Sequence, residues 1–136
     1  MAEIRVVNHQ TIDRDTDVIE ERGKGSLSKK NGRHYIRYEV KTEDTASSVT
    51  VIAQDGIVRI KRAGAYGSEM IYDAKKRTRF LYRTPYGTME METDTIRIQN
   101  DLDSKGRLRI IYRLIMQGQI TYNDTEIVVE RIMEDK

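Results

Sequence analysis

The chain has 136 residues, no cysteine and no tryptophan, and 24 basic side chains against 22 acidic ones. A single domain, 1–136, is expected at that length, able to bury roughly two thirds of its unfolded surface without disulfides or structural metals. Lack of cysteine excludes a disulfide framework, a thiol nucleophile and a Cys-based metal site; MAEIRVVNHQ lacks the basic and apolar regions of a signal peptide, and no apolar run reaches the ~18 residues of a membrane span, so a soluble cytoplasmic protein with no membrane partner is expected.

In chain order the dominant signal is period two. Ile4 and Val6 alternate with charge and Ile12 follows; Asp13–Asp17 reads as a connection, Val18–Gly25 as a strand and Ser26–Asn31 as a polar loop. In HYIRYEVK, His34, Ile36, Tyr38 and Val40 share one face, and Arg33, Tyr35, Arg37, Glu39 and Lys41 the other. Val49, Val51 and Ala53 fall together, then the turn pair Asp55-Gly56, then Val58, Ile60 and Arg62 in one phase. Met70 with Tyr72, and Phe80 with Tyr82 and Thr84, continue the pattern on either side of the basic loop at 75–79.

The only proline, Pro85, cannot donate to a ladder, so Thr84-Pro85-Tyr86-Gly87 is read as a β-turn joining two strands. The strand after it slips phase: Met89, Met91 and Thr93 are odd, Ile96 and Ile98 even. Keeping both sets inside requires a bulge near Asp94-Thr95. The longest run places Leu108, Ile110, Tyr112, Leu114 and Met116 on one face. The last strand, about 120–132, has Ile127 and Val129 on one face and Val128 and Ile132 on the other.

About ten short strands at regular spacing, with no helical stripe and no long crossover, fit an all-β, closed antiparallel up-and-down barrel better than a sandwich, because closure removes exposed edges. Charge is banded along them: residues 23–41 and 55–83 each carry a net +5, and 84–104 a net −4. Such bands are expected to meet as salt bridges between outer faces of neighbouring strands.

The inner row is rich in tyrosine and methionine: Tyr38, Tyr72, Tyr82 and Tyr112, with Met70, Met89, Met91 and Met116. Buried phenols need hydrogen-bond partners, and methionine adapts to irregular space. Two interiors fit: a filled core with Arg62 paired at a rim, or a cavity whose Arg62 meets an anionic head group while tyrosines orient a ligand and methionines adapt to it. His34 ends another inner row.

Other motifs carry less. Asp101, Asp103 and Gly106 occupy calcium-loop positions, but Lys105 and Tyr112 stand where oxygen ligands belong, so 100–106 reads as a hairpin loop. His9 and His34 are too few for a metal site or a recognisable triad, Glu20 and Glu21 point to opposite faces, and no cofactor motif is present. The tract Lys75-Lys76-Arg77-Thr78-Arg79 lacks outward aromatics between its cations, since Phe80 and Tyr82 lie in the apolar phase; this argues against nucleic acid as a partner.

The stretches VRIKRAGAYGSEMIYD, LYRTPYGTMEMET and IQNDLDSKGRLRIIYRL resemble the YwiB-like family of bacterial proteins. The resemblance is carried by Arg62 and Gly64 after a strand, Met70 in the next, Tyr82 with Pro85 and Gly87 in a turn, and Gly106, Leu108, Ile110, Tyr112 and Leu114 in a strand. It implies a ten-stranded lipocalin-like (calycin-type) barrel in a bacterial cytoplasm, and no activity or catalytic residues. The leading expectation is a non-enzymatic binder of a small anionic or amphipathic molecule. The alternative is a protein-interaction or homodimer surface at Ile111, Ile115, Val128 and Ile132.

Overall fold

The computed structural model describes residues 2–41, 46–64 and 67–131. The alternation becomes ten strands: β1 (Ala2–Ile12), β2 (Asp15–Lys30), β3 (Arg33–Lys41), β4 (Ala46–Gln54), β5 (Ile57–Gly64), β6 (Gly67–Asp73), β7 (Thr78–Thr84), β8 (Gly87–Asp101), β9 (Arg107–Met116) and β10 (Gln119–Arg131). Each pairs antiparallel with its neighbours in sequence, and β1 closes on β10 from Ala2↔Arg131 to Thr11↔Tyr122. The result is a closed ten-stranded up-and-down barrel.

Hairpin chemistry matches the turn residues. Asn31-Gly32, Asp55-Gly56 and Gln117-Gly118 all have positive φ, from 45° to 81°, the left-handed pair that suits the twist of a two-residue hairpin. Thr84 pairs with Gly87, leaving Pro85 and Tyr86 as the two-residue link the proline implies.

Three expectations are corrected. Ser26–Asn31 is not a loop: β2 runs to Lys30, with Leu27 paired to Ile36 and Gly25 to Tyr38. Its small polar residues face outward and lack strand propensity of their own; pairing with β3 overrides that. The connection at 13–17 shrinks to Asp13 and Arg14. The bulge exists, but the extra residue is Ile96: Thr95 opposes Tyr112, Arg97 opposes Ile111, and Ile96, expected inside, is 51% exposed. Turning out one residue lets Thr93, Thr95 and Ile98 all face in.

The β2–β3, β4–β5, β6–β7 and β8–β9 turns lie at one end of the barrel. Here Ile4, Ile36, Val51, Val58, Leu108, Ile110 and Ile127 are fully buried, and Leu102, from the turn after β8, joins their cluster as a plug. Each such side chain contributes roughly 1.5–3 kcal/mol by leaving water. The wall is thinnest between β6 and β7, where the ladder holds only Gly67↔Arg83 and Ser68↔Tyr82. Further down, the hydroxyls of Thr78 and Thr93 donate to the Ile71 carbonyl.

Candidate functional site

Toward the opposite end the inward rows turn polar. On β1, Asn8 and Gln10 continue the phase of Ile4 and Val6; on β10, Thr125, Asn123 and Thr121 continue that of Ile127. Asn8 Nδ2 donates to Asn123 Oδ1 at 3.0 Å, Thr125 Oγ1 donates to Asn8 Oδ1 at 2.9 Å, and Asn123 Nδ2 donates to the Thr121 carbonyl at 3.1 Å. Thr95, opposite Tyr112 and 7% exposed, turns into the same lumen a hydroxyl that has no partner among the described residues. A buried hydroxyl left unbonded costs about 1–3 kcal/mol, so this wall has hydrogen-bonding capacity to spare.

Across the lumen stands a charged cluster. Tyr38, Val49 and Arg62 occupy one register row of β3, β4 and β5. Glu21 of β2 bridges them: Arg62 Nη2 donates to its Oε1 at 2.8 Å and Oε2 at 3.1 Å, and Tyr38 OH donates to Oε1 at 2.9 Å. Glycines permit this reach. A Cβ at Gly25 would sit 1.7 Å from the Arg37 carbonyl oxygen and one at Gly23 2.3 Å from that of Glu39, so β2 lies directly on the β3 backbone here. The Arg62 and Glu21 side chains are 28% and 25% exposed, too wet for a sealed ion pair and too dry for a surface one. Burial works to lower the Arg62 pKa, but the Glu21 hydrogen bond and charge outweigh it and leave it raised. Burial first, then the Glu21 carboxylate, push the Tyr38 phenol far above its ordinary value.

The expected tyrosine and methionine row does face inward. Tyr72 and Tyr112 meet edge to face with ring centroids 4.7 Å apart, and the Tyr72 hydroxyl donates to Met70 Sδ at 3.4 Å. Burial raises both phenol pKa values. Tyr82 stands opposite Ser68 and Met89; Met70, Met89, Met116 and Tyr82 remain half-buried, and Met91 is buried. At the thin β6–β7 seam a groove of about 1000 Å³ is lined both by inward Arg62, Ser68 and Phe80 and by outward Glu69, Arg79 and Arg83. It lies where the β6–β7 ladder is shortest and is bordered by residues of both phases.

Sequence reading found Arg62 and the aromatic row but missed Glu21, Asn8, Asn123, Thr125 and Thr95. The signal for most was present: polar residues holding an apolar phase. Glu21 gave none, because the glycines that follow it in phase, Gly23 and Gly25, carry no apolar signal and Arg62 is three strands away. His34 is buried at the plugged end, with Nε2 2.9 Å from Asp103 Oδ1, and takes no part in the polar cluster. The loop at 100–106 is a turn in which Asn100 Oδ1 accepts from the Leu102 amide and Asp103 also accepts from Lys29. Among the described residues no group of three or more His, Cys, Asp or Glu is placed to hold a metal ion, and no helix is long and apolar enough to cross a membrane. Of the outward apolar residues, Ile111 and Ile115 are half-buried, Ile132 lies outside the described residues, and Val128 is 7% exposed, flanked in register by Arg5 and Arg107.

The chain is 31% identical over 101 residues to the uncharacterised β-barrel protein YwiB of Bacillus subtilis (strain 168), covering 74% of this chain and 71% of that one. It superposes on the crystal structure of ywiB protein from Bacillus subtilis with a TM-score of 0.87 and 26% identity, across 97% of this chain and 92% of the other. The family model described as Domain of unknown function (DUF1934) matches residues 4–128, and the chain belongs to that family.

Proposed function

We propose that the protein is a non-enzymatic binder that holds one small amphipathic molecule with an anionic head group in the polar half of its barrel, in the bacterial cytoplasm. The observation that carries this reading is the Arg62–Glu21–Tyr38 cluster: a bidentate carboxylate already sits on an inward guanidinium. A ligand carboxylate, sulfonate or phosphate takes the place of Glu21 on the fork of Arg62. Tyr38 and Tyr82 orient the head group, and the apolar part lies against Tyr72, Tyr112, Met70, Met89, Met91 and Met116. The Asn8–Asn123–Thr125 wall and the free Thr95 hydroxyl meet any polar group on the far side.

Native mass spectrometry of protein from its own host cells tests this, followed by titration with the anionic amphiphile 1-anilinonaphthalene-8-sulfonate. A co-purifying mass below 1 kDa, or one dye per chain bound at least ~10-fold more weakly by Arg62→Met, supports it. An empty barrel whose dye binding ignores Arg62→Met overturns it.

A second reading, a homodimer through the outside of β9 and β10, rests on Ile120 and Tyr122, which are 47% and 50% exposed beside one another on β10. A doubled native mass that Ile120→Lys returns to a single one supports it, and a single mass at high concentration removes it.

A further inference from the structure

The outside of the barrel is not uniform. On β7 to β10 and β1, most outward arginines are matched to carboxylates, with Arg83 and Arg97 the exceptions among the described residues: Arg79–Glu92 at 3.0 Å, Arg113–Asp94 at 3.5 Å, Arg107–Glu126 at 3.7 Å, Arg109–Asp124 at 2.7 Å and Arg5–Glu130 at 3.9 Å. On β2 to β5 the outward cations Lys24, Lys30, Arg33, Arg37, Lys41 and Lys61 stand in no ion pair among the described residues. Two carboxylates hold outward positions on these strands: Glu20, which Arg22 holds at 2.6 Å toward the far end of β2, and Glu39; Arg59 is drawn off to Glu69 of β6 at 3.5 Å. Unneutralised cations clustered on one sheet face give a positive field that ion-paired faces lack.

An aromatic ring sits among them. Tyr35 points outward, half-exposed, in a register row with Ser28 of β2 and Ile52 of β4. The next rows on either side hold Lys30 with Arg33, and Arg37 with Thr50 and Lys61, about 7 Å away by strand geometry. Tyr35, Arg37, Lys30, Lys61, Thr50 and Ile52 line a shallow groove of about 570 Å³. The interleaving of ring and cation that is missing at 75–79 is thus present at 33–37. The 75–79 tract is further disarmed by Arg77–Asp94 and Arg79–Glu92 pairs.

We propose that the outward face of β2–β5 binds single-stranded nucleic acid, Tyr35 stacking on a base while Lys30, Arg33, Arg37 and Lys61 hold the flanking phosphates. A flat ring between cations suits an unstacked base followed along its backbone, and every base offers a face to it. Hydroxyls of Ser26, Ser28 and Thr50 line the same rows as neutral donors and acceptors. The site is separate from the lumen, since alternate residues of the same strands point the opposite way.

Fluorescence anisotropy with labelled 12-nucleotide RNA and DNA single strands, a duplex, and polyphosphate and polyglutamate as competitors tests this. About four phosphate contacts give a slope near 3 for log Kd against log salt. Arg37→Glu with Lys61→Glu weakens binding at least tenfold; Tyr35→Ala weakens it about 5- to 150-fold without changing the slope, while Tyr35→Phe restores it. Arg107→Glu, on the paired face, leaves binding unchanged. Preference between the RNA and DNA strands assigns the source. Equal binding of duplex, equal competition by polyphosphate or polyglutamate, indifference to Tyr35→Ala, or no binding at 50 mM salt each overturns the proposal. All substituted residues face solvent, and thermal unfolding checks that each variant is folded; Lys30→Glu with Arg33→Glu replaces any that is not.

Discussion

The two ends of the barrel interior are built from the same strands, yet they differ in kind. Going up β1, Ala2, Ile4 and Val6 give way to Asn8 and Gln10; going along β10, Val129 and Ile127 give way to Thr125, Asn123 and Thr121. β8 changes from Ile98 to Thr95 and Thr93, and β3 from Ile36 to Tyr38. On these four strands the inward residues turn polar toward the same end, so one end is packed for stability and the other is left with hydrogen-bonding groups and half-wet side chains. Truncation separates them most sharply. Leu108 is 0% exposed, and Leu108→Ala costs about 2–5 kcal/mol through lost transfer and a residual cavity. Met89→Ala, in the polar half, costs under ~1.5 kcal/mol because water already reaches it. Urea unfolding measures both, and equal losses would erase the distinction.

The charged cluster gives the next largest effect. Glu21→Ala strands Arg62 and removes the acceptor of the Tyr38 hydroxyl; hydrogen bonds to charged groups at this exposure are worth about 1.5–3 kcal/mol. Adding Arg62→Met recovers most of that loss, because replacing both partners removes the unpaired charge. A double-mutant cycle reads the coupling, and additive single losses would show that the pair does not bridge β2 to β5 in solution.

Alkaline titration probes the floor between the two ends. Tyr38, Tyr72 and Tyr112 all have pKa values raised, chiefly by burial, above the ordinary 10.0. A group raised in the folded state contributes stability that is complete below pH 10 and is lost as pH climbs through the folded value. Absorbance of phenolate should therefore appear in two phases, with three of the eight tyrosines ionising only as the barrel unfolds. A single phase near pH 10 with the fold intact would place those rings in water.

Much of this was legible because β structure writes burial into the chain at period two. Ile36, Val51, Val58, Leu108 and Ile127 announce themselves as apolar in phase, and Asn31-Gly32 and Asp55-Gly56 announce their turns locally. The end of β2 did not, since Ser26, Ser28 and Lys30 are chosen by the outer face and only pairing with β3 makes them strand. Ile96 misled for the opposite reason: its side chain is apolar, but the bulge spends it on the outside so that Thr95 and Ile98 can both point in. The candidate site was half visible. Arg62 showed by phase alone, whereas Glu21 reaches it through a close approach at Gly23 and Gly25 that no local pattern encodes.

Acid gives the smallest effect and separates the rim of the plugged end from the rest. Asp103 accepts from Lys29 at 2.8 Å and lies 2.9 Å from His34; the Lys29 hydrogen bond first, then that of His34, hold its pKa below 3.8. Asp124 is lowered likewise by Arg109, on the outside of β9 and β10. A carboxylate depressed in the folded state adds stability that is present above about pH 4 and lost as pH falls through the folded value. Both groups are solvent-screened, so the loss is slight and shrinks as salt rises. The melting temperature should fall modestly between pH 4 and 2.5, and Asp103→Asn should remove part of that slope while leaving the alkaline tyrosine transition where it was. If Asp103→Asn instead shifts the tyrosine phase, the plugged rim and the polar lumen are one cooperative network and not two independently built ends.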